Sequence, residues 1–381
     1  MGGENDSGTA PPSVGRPRKV YVEPTNRCNL ACRTCMRRAW DEPEGVMEWA
    51  TFAAVVDGLR PLEPAATISF AGLGEPLLHD RLVDMVALAR EAGLRTEMTT
   101  NALLLDRELG RALVAAGLDQ VVVSIDGSSA ETFDAVRPGA SLERVLANVE
   151  ALDDHSRPYY QPPLTIGIEF VAMRSNVREL PGLWSLAMRI HAAFIIVTNL
   201  LPHTAEMAAE TLYDRSATAT DHQGSAWLPR WSLPRMDVDD ETGPVLLKVA
   251  RHAAALSFLD LDLSGRASHC PFVHAGALAI AWDGTVSPCP PLLHSHRCLV
   301  MGREKEVHRC VLGHVPDRTL AEIWRDPDYV ALRERVLAFD FPPCTDCGGC
   351  DLAESNQEDC FGNPFPACGD CLWARGILRC P

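Results

Sequence analysis

The fourteen cysteines of this chain are spread so unevenly that they constrain its fold more than any other feature. Three stand at Cys28, Cys32 and Cys35, none occurs from residue 36 to 269, and eleven fall between Cys270 and Cys380. Clustered thiols with CxxC spacing suit metal ligation. A disulfide-stapled tail would call for an oxidising compartment and a secretory signal. Met1 to Pro17 are polar and rich in Gly, Ser and Pro, without the basic start and apolar core of such a signal. Asp6 stands where a myristoylation signal places Ser or Thr. No apolar run approaches the ~20 residues that span a bilayer. The expectation is a cytoplasmic chain with a flexible leader over 1–17 and no membrane partner.

Composition bounds the partners. Hydrophobic residues make up 46% of the 381, and charged residues 23%, enough apolar material for a buried core. Asp plus Glu number 51 against 35 Lys plus Arg, a net charge of −16. A chain with this balance lacks the basic footprint of a nucleic-acid binder, so no nucleic-acid partner is expected.

Between the cysteine groups, strand and helix patterns alternate. Apolar, β-branched runs predict buried strands at 19–22, 67–71, 96–100, 120–125, 164–171 and 194–198. Helical spacing predicts helices at 48–59, 81–92, 107–116, 142–152 and 177–191, with Gly93 and Gly117 as left-handed caps. Repeated β-α units imply an α/β fold with a six-stranded parallel sheet and ligands at the carboxyl ends of its strands. Residues 202–240 break the pattern and read as an irregular connection, followed by a helix over 243–256. The tail is Gly- and Pro-rich with little periodicity, so bound metal is expected to stabilise it.

Cys28-Asn-Leu-Ala-Cys32-Arg-Thr-Cys35 directly follows the first predicted strand. Three thiolates so spaced can hold three irons of a cubane and leave the fourth open. A zinc site more often shows four ligands in paired CxxC units. Gly72-Leu-Gly74-Glu75-Pro76 follows the second strand, Thr99-Thr-Asn101 the third, and Ser124-Ile-Asp126-Gly127 the fourth.

With these motifs the chain resembles the radical S-adenosylmethionine (SAM) enzymes, marked by a CxxxCxxC loop after the first strand of a partial (βα)6 barrel. The stretches after strands two to four are similar to the family's GGEP, TNG and S-[IL]-D-G motifs, except that Ala102 replaces the glycine of TNG. The resemblance implies a 4Fe–4S cluster at Cys28, Cys32 and Cys35, and SAM as cofactor. Gly74 and Glu75 would then hold the methionine amino group. Ser124 or Arg137 would hold its carboxylate, and Asn101 and Asp126 its ribose or the surrounding loops. The backbone of Thr34 would meet the adenine.

The tail resembles the SPASM extension of peptide- and protein-modifying relatives, which carries one or two auxiliary 4Fe–4S clusters. Trp282-Asp-Gly-Thr-Val-Ser-Pro-Cys289 is similar to its D-G-x-V-x-P-C run, and Ile323, Trp324 and Arg333 to its following helix. Eight ligands for two clusters are Cys270, Cys289, Cys344, Cys347, Cys350, Cys360, Cys368 and Cys371. Cys298, Cys310 and Cys380 are left over, although Cys310 or Cys380 can replace one of the eight. Pro290 follows Cys289 where sulfatase-maturing relatives carry an Asp base, so no general base is carried over. His294 and His296 lie nearby in sequence. The fold expected is a partial barrel over 18–201, a connection over 202–264 and a Cys-rich SPASM-like domain over 265–381.

Three further stretches, at 35–47, 198–207 and 360–381, resemble maturases of tungsten-cofactor oxidoreductases. Many peptide-modifying relatives carry a leader-recognition domain of roughly a hundred residues. No such domain fits in 1–17, and a separate partner could replace it. The family resemblance implies reductive cleavage of SAM to a 5′-deoxyadenosyl radical, which takes hydrogen from a peptide, protein or cofactor precursor. The electron would come from a reductant such as flavodoxin or ferredoxin. Two alternatives stay open. One is a dehydrogenase or epimerase of a small antibiotic or aminosugar intermediate. The other is a non-catalytic metal-stabilised scaffold or electron carrier.

Overall fold

The computed structural model describes residues 15–60, 65–156, 164–213, 230–234, 236–252, 255–258, 269–342, 344–345 and 350–381. Six parallel strands follow in sequence order: β1 (Lys19–Val22), β2 (Thr67–Phe70), β3 (Arg95–Thr100), β4 (Gln120–Ser124), β5 (Thr165–Ala172) and β6 (Phe194–Asn199). Each pairs with the next. Their apolar runs are covered on both faces, as parallel strands require.

The crossovers are α1 (Trp49–Leu59), α2 (Leu82–Glu91), α3 (Arg107–Ala116), α4 (Ala130–Val136), α5 (Leu142–Ser156) and α6 (Leu183–Arg189). Helix α2 buries Leu82, Met85, Val86 and Ala89, the stripe that its spacing predicts. Gly93 and Gly117 take the left-handed conformation expected of them. Helix α3 starts at Asp106, whose carboxylate accepts from the Leu109 amide at 2.8 Å.

Two predicted helices differ. The stretch 177–191 is broken: Pro181 lies in a tight 3-10 turn over Val177–Gly182, and α6 begins only at Leu183. The helix expected over 243–256 ends at His252. Residues 255–258 instead form a strand, because a sheet edge is available to them. Helix α4 escaped prediction because seven residues are too few for periodicity to show.

The sheet continues beyond six strands. At the β6 edge, β7 (Arg230–Leu233), within the stretch expected to be irregular, and β8 (Ala255–Phe258), at the end of the expected helix, add in parallel. At the other edge, β9 (Ala277–Ile280) pairs in parallel with β1. Antiparallel β10 (Thr285–Ser287) and β13 (Gly313–His314) follow it. A separate hairpin joins β11 (His296–Val300) and β12 (Arg303–Val307). Arg333 of the helix Pro327–Ala338 stacks over Trp324 and Tyr329, each at 4.1 Å, and donates to the Trp324 carbonyl.

Candidate active site

The loops after β1 to β4, together with the ends of β4 to β6, surround one cavity of about 290 Å³. Cys28, Cys32 and Cys35 line it with Thr34, Gly74, Glu75, Asn101, Ser124 and Arg137. The structure therefore brings together every residue expected at the SAM site except Asp126.

Asp126 lies fully buried behind the wall. Its carboxylate accepts from Arg137 Nε at 2.8 Å and from the Val171 amide at 2.8 Å. Its place is to orient Arg137. The Arg137 guanidinium in turn lies 3.9 Å from Cys32 Sγ. Asp126 and Cys32 hold it firmly protonated.

Glu75 works inside the wall. Its carboxylate accepts from Thr100 Oγ1 at 2.7 Å, the Asn101 amide at 2.8 Å and the Leu77 amide at 3.1 Å. It thus caps the short turn after it and ties the β2 loop to the β3 loop. Burial raises its pKa, and these donors oppose the rise. Gly74 leaves no room for a side chain: a Cβ would fall 2.0 Å from the Thr25 carbonyl oxygen. The β2 loop lies flat on the approach to Cys28, with the Glu75 amide bonded to the Arg27 carbonyl at 2.8 Å. Asn101 Nδ2 donates to Asn29 at 2.9 Å and lies 4.0 Å from Cys28 Sγ. Ala102, in the place of the motif glycine, has φ +57°, the left-handed region glycine favours.

The three thiols fit a cubane. They line one cavity, and N–H donors from Asn101 and Arg137 approach two of the sulfurs. Burial lifts the Cys28 thiol and pushes Cys32 up to about 11, with Arg137 opposing it. Iron binding must therefore displace protons.

Several site residues carry no loop motif. Glu169 on β5 lines the cavity, paired in register with Ser124. Burial and Asp126 push its carboxyl up to about 7. Thr198, Asn199, Trp373, Leu378 and Arg379 close the wall. The Arg379 amide bonds Thr198 Oγ1 at 2.9 Å, and Asn199 Nδ2 bonds the Ile377 carbonyl at 2.9 Å. The sequence signal was a lone acid in an apolar strand for Glu169, and for the others the stretches at 198–207 and 360–381.

In the tail, Cys270, Cys289, Cys368 and Cys371 line one apolar cavity of about 80 Å³. Burial raises all four, Cys270 to about 12, helped by neighbouring thiols at Cys270, Cys289 and Cys368 and by Asp370 at Cys371. Four thiols around an apolar cavity suit a closed cubane. Cys344 is half-buried, Cys350 and Cys360 are exposed, and Cys347 lies outside the described residues. Among the described residues no three His, Cys, Asp or Glu side chains converge on a single ion. Cys298 lines the same cavity as Cys270, as a fifth thiol, Cys310 is buried, and Cys380 accepts from Trp373 Nε1 at 3.3 Å.

His294 sits between two carboxylates. Its Nε2 donates to Glu23 at 2.9 Å, its Nδ1 donates to Glu42, and Trp40 packs on its ring. The carboxylates lift its pKa to about 9 against the effect of burial. His296 bonds the His294 carbonyl at 3.1 Å, and burial lowers its pKa.

Comparison with known proteins matches these features. Residues 22–168 match the Radical SAM superfamily, and residues 270–351 an iron–sulfur cluster-binding domain named SPASM. The chain is 31% identical to a tungsten-containing aldehyde ferredoxin oxidoreductase cofactor-modifying protein of Pyrococcus furiosus, over 95% of this chain and 96% of that one. The chain belongs to the radical SAM superfamily. It is also 32% identical to an Fe-coproporphyrin III synthase of Methanosarcina barkeri, over 90% of this chain and 86% of that one. Among solved structures, SuiB of Streptococcus suis bound to its precursor peptide SuiA has the same fold. The TM-score is 0.59 at 15% identity, over 91% of this chain and 72% of that one. As a radical SAM enzyme with a SPASM domain, the chain is expected to carry SAM and 4Fe–4S clusters. No helix among the described residues is long and apolar enough to cross a membrane.

Proposed function

We propose that this radical SAM enzyme cleaves SAM reductively and takes a hydrogen atom from a peptide, protein or cofactor precursor, as a maturase. The observation that carries it is the convergence of Cys28, Cys32, Cys35, Gly74 and Arg137 on one cavity at the strand ends. When bound at the three cysteines, the cluster supplies the electron that cleaves the sulfonium into methionine and a 5′-deoxyadenosyl radical. The chain does the holding. The backbone at Gly74 approaches the methionine amino group, and Glu75 fixes that loop. Arg137, oriented by Asp126, faces the methionine carboxylate beside Ser124. Asn101 steadies the cysteine loop, and the Thr34 backbone meets the adenine. Leu378 and Trp373 exclude water from the cavity. Glu169 is placed to hold or release a proton at its carboxyl near neutral pH.

The maturase reading draws support from the length shared with the cofactor-modifying relative and from the size of the cysteine-rich tail. Flavodoxin or ferredoxin is the reductant proposed.

Anaerobic reconstitution with iron and sulfide quantitation and a deoxyadenosine assay tests this reading. The expected outcome is roughly 12 irons per chain, from three cubanes, with reductant-dependent deoxyadenosine that Cys28→Ala abolishes. About 8 irons would favour the small-molecule dehydrogenase or epimerase. Deoxyadenosine from Cys28→Ala at the parent rate would overturn the reading. Bound zinc without cleavage would favour the scaffold.

A further inference from the structure

A buried ion pair stands between the cysteine-lined cavity of the tail and Cys344. Both Asp370 carboxylate oxygens lie 2.5 Å from Lys305 Nζ, and both side chains are less than a tenth exposed. Lys305 is on β12, directly across the hairpin from Cys298. Asp370 falls between Cys368 and Cys371 in the chain. Lys305 and Asp370 line the same cavity as Cys270, Cys289, Cys368 and Cys371. The Cys368–Cys371 loop comes close to Cys344 as well. A Cβ on Gly369 would lie 3.1 Å from Cys344 Sγ and 2.4 Å from the Pro342 carbonyl oxygen. Arg375 Nη2 holds the Gly369 carbonyl at 2.9 Å.

A buried ion pair is a poor stability device, because desolvation of two charges offsets most of their attraction. An apolar pair of similar volume would pack this site as well. The charges themselves therefore call for a purpose. An electron added to a four-thiolate cubane makes its net charge more negative. Fixed charges that line the same buried cavity act on that step.

We propose that Lys305 and Asp370 are a positioning pair that sets the reduction potentials of the auxiliary clusters, Lys305 favouring the reduced state and Asp370 the oxidised state. The pair lies at the loop between the cavity and Cys344, so one substitution acts on both sides. The proposal rests on the reading that the tail cysteines hold cubanes, and iron counting separates the two.

The experiment is potentiometry followed by electron paramagnetic resonance on the full chain. Cys28, Cys32 and Cys35 are changed to Ala so that only the auxiliary signals remain. In that background Asp370→Asn, which keeps the shape, shifts the auxiliary midpoint upward. Lys305→Met shifts it downward. Lys305→Arg keeps the charge and leaves it in place, and the Lys305→Met/Asp370→Asn double variant returns it near the parent value. Unmoved midpoints, or shifts of the same sign, in single variants with full iron would overturn the proposal and leave the pair a packing feature. If Lys305→Met loses iron, Asp370→Asn carries the test alone: an upward shift supports the proposal, and no shift or a downward one overturns it. A parent tail that takes up no iron refutes the cluster reading, and the proposal with it.

Discussion

At the scale of single residues, Glu169 decides how the cavity responds to pH. It faces a space meant for a ligand whose sulfonium and ammonium are both cationic. Its carboxyl, pushed up to about 7 by burial and by Asp126, is ionised above that value and neutral below it. SAM affinity is therefore expected to weaken as pH falls through about 7, and Glu169→Gln to bind SAM weakly and evenly across the range. Equilibrium binding to the reconstituted enzyme between pH 6 and pH 8.5 checks this, and a parent with flat affinity would refute it. The motif residues were legible because each loop motif stands at a strand end. Glu169 was not, because it sits mid-strand, where only its polarity among Ile166, Ile168, Phe170 and Val171 marks it. Asp126 was legible as part of a motif but not as the partner of Arg137. No spacing rule links two residues 11 apart across a loop and a helix.

At the scale of elements, His294 fastens three pieces together: the end of β1 through Glu23, the loop after the cysteines through Glu42, and the tail. Glu23 also accepts from the Leu73 amide at 2.9 Å, so the fastening reaches the β2 loop. The same cysteine loop is held by Asn26, which bonds the Gly45 amide at 2.8 Å and the Pro43 carbonyl at 2.9 Å. Folding raises the His294 pKa from the usual 6.5 to about 9. Its contribution is then complete below about pH 6.5 and lost as pH rises to about 9, at most roughly 3 kcal/mol from 1.36 kcal/mol per unit. Glu42 is held below the usual carboxylate range by His294 and the Ser295 amide, so its share is lost on the acid side. Urea denaturation of the metal-free chain is expected to show the parent's advantage over His294→Gln shrinking between pH 6.5 and pH 9. A constant difference between the two curves would count against the fastening. Thiols of the unfolded chain begin to ionise towards the top of this range, so only that difference is diagnostic. Here sequence reading met its limit. A Pro-interrupted helix and a strand at 255–258 depend on what packs beside them, which local periodicity does not carry. The grouping of Cys270 and Cys289 with Cys368 and Cys371 depends on long stretches of chain closing back on one cavity.

At the scale of the whole molecule, barrel and tail share one sheet and one core. β9 continues the sheet from β1 in parallel register, with Val20 beside Leu278 and Val22 beside Ile280, all fully buried. The tail then returns to the cavity. Tyr21 Oη and Lys19 Nζ donate to the Pro381 carbonyl at 3.0 and 3.2 Å, while Leu378 and Arg379 form part of the cavity wall. The cysteine loop springs from β1, so the strand that aims the first cluster is itself held by the tail. A fragment of residues 1–264 would leave β1 as an open edge, its backbone groups unpaired and its apolar side chains uncovered. Such an edge invites pairing between chains. The fragment is expected to aggregate and to unfold without a cooperative transition, while the full chain stays soluble under the same conditions. Sedimentation and calorimetry of the two side by side make the comparison. A soluble, monomeric fragment that melts cooperatively and still binds roughly 4 irons would mean that the barrel is complete without its tail. The tail would then serve the substrate alone. Aggregation of the fragment would mean that the auxiliary clusters, by stabilising the tail, also hold the strand from which the first cluster hangs.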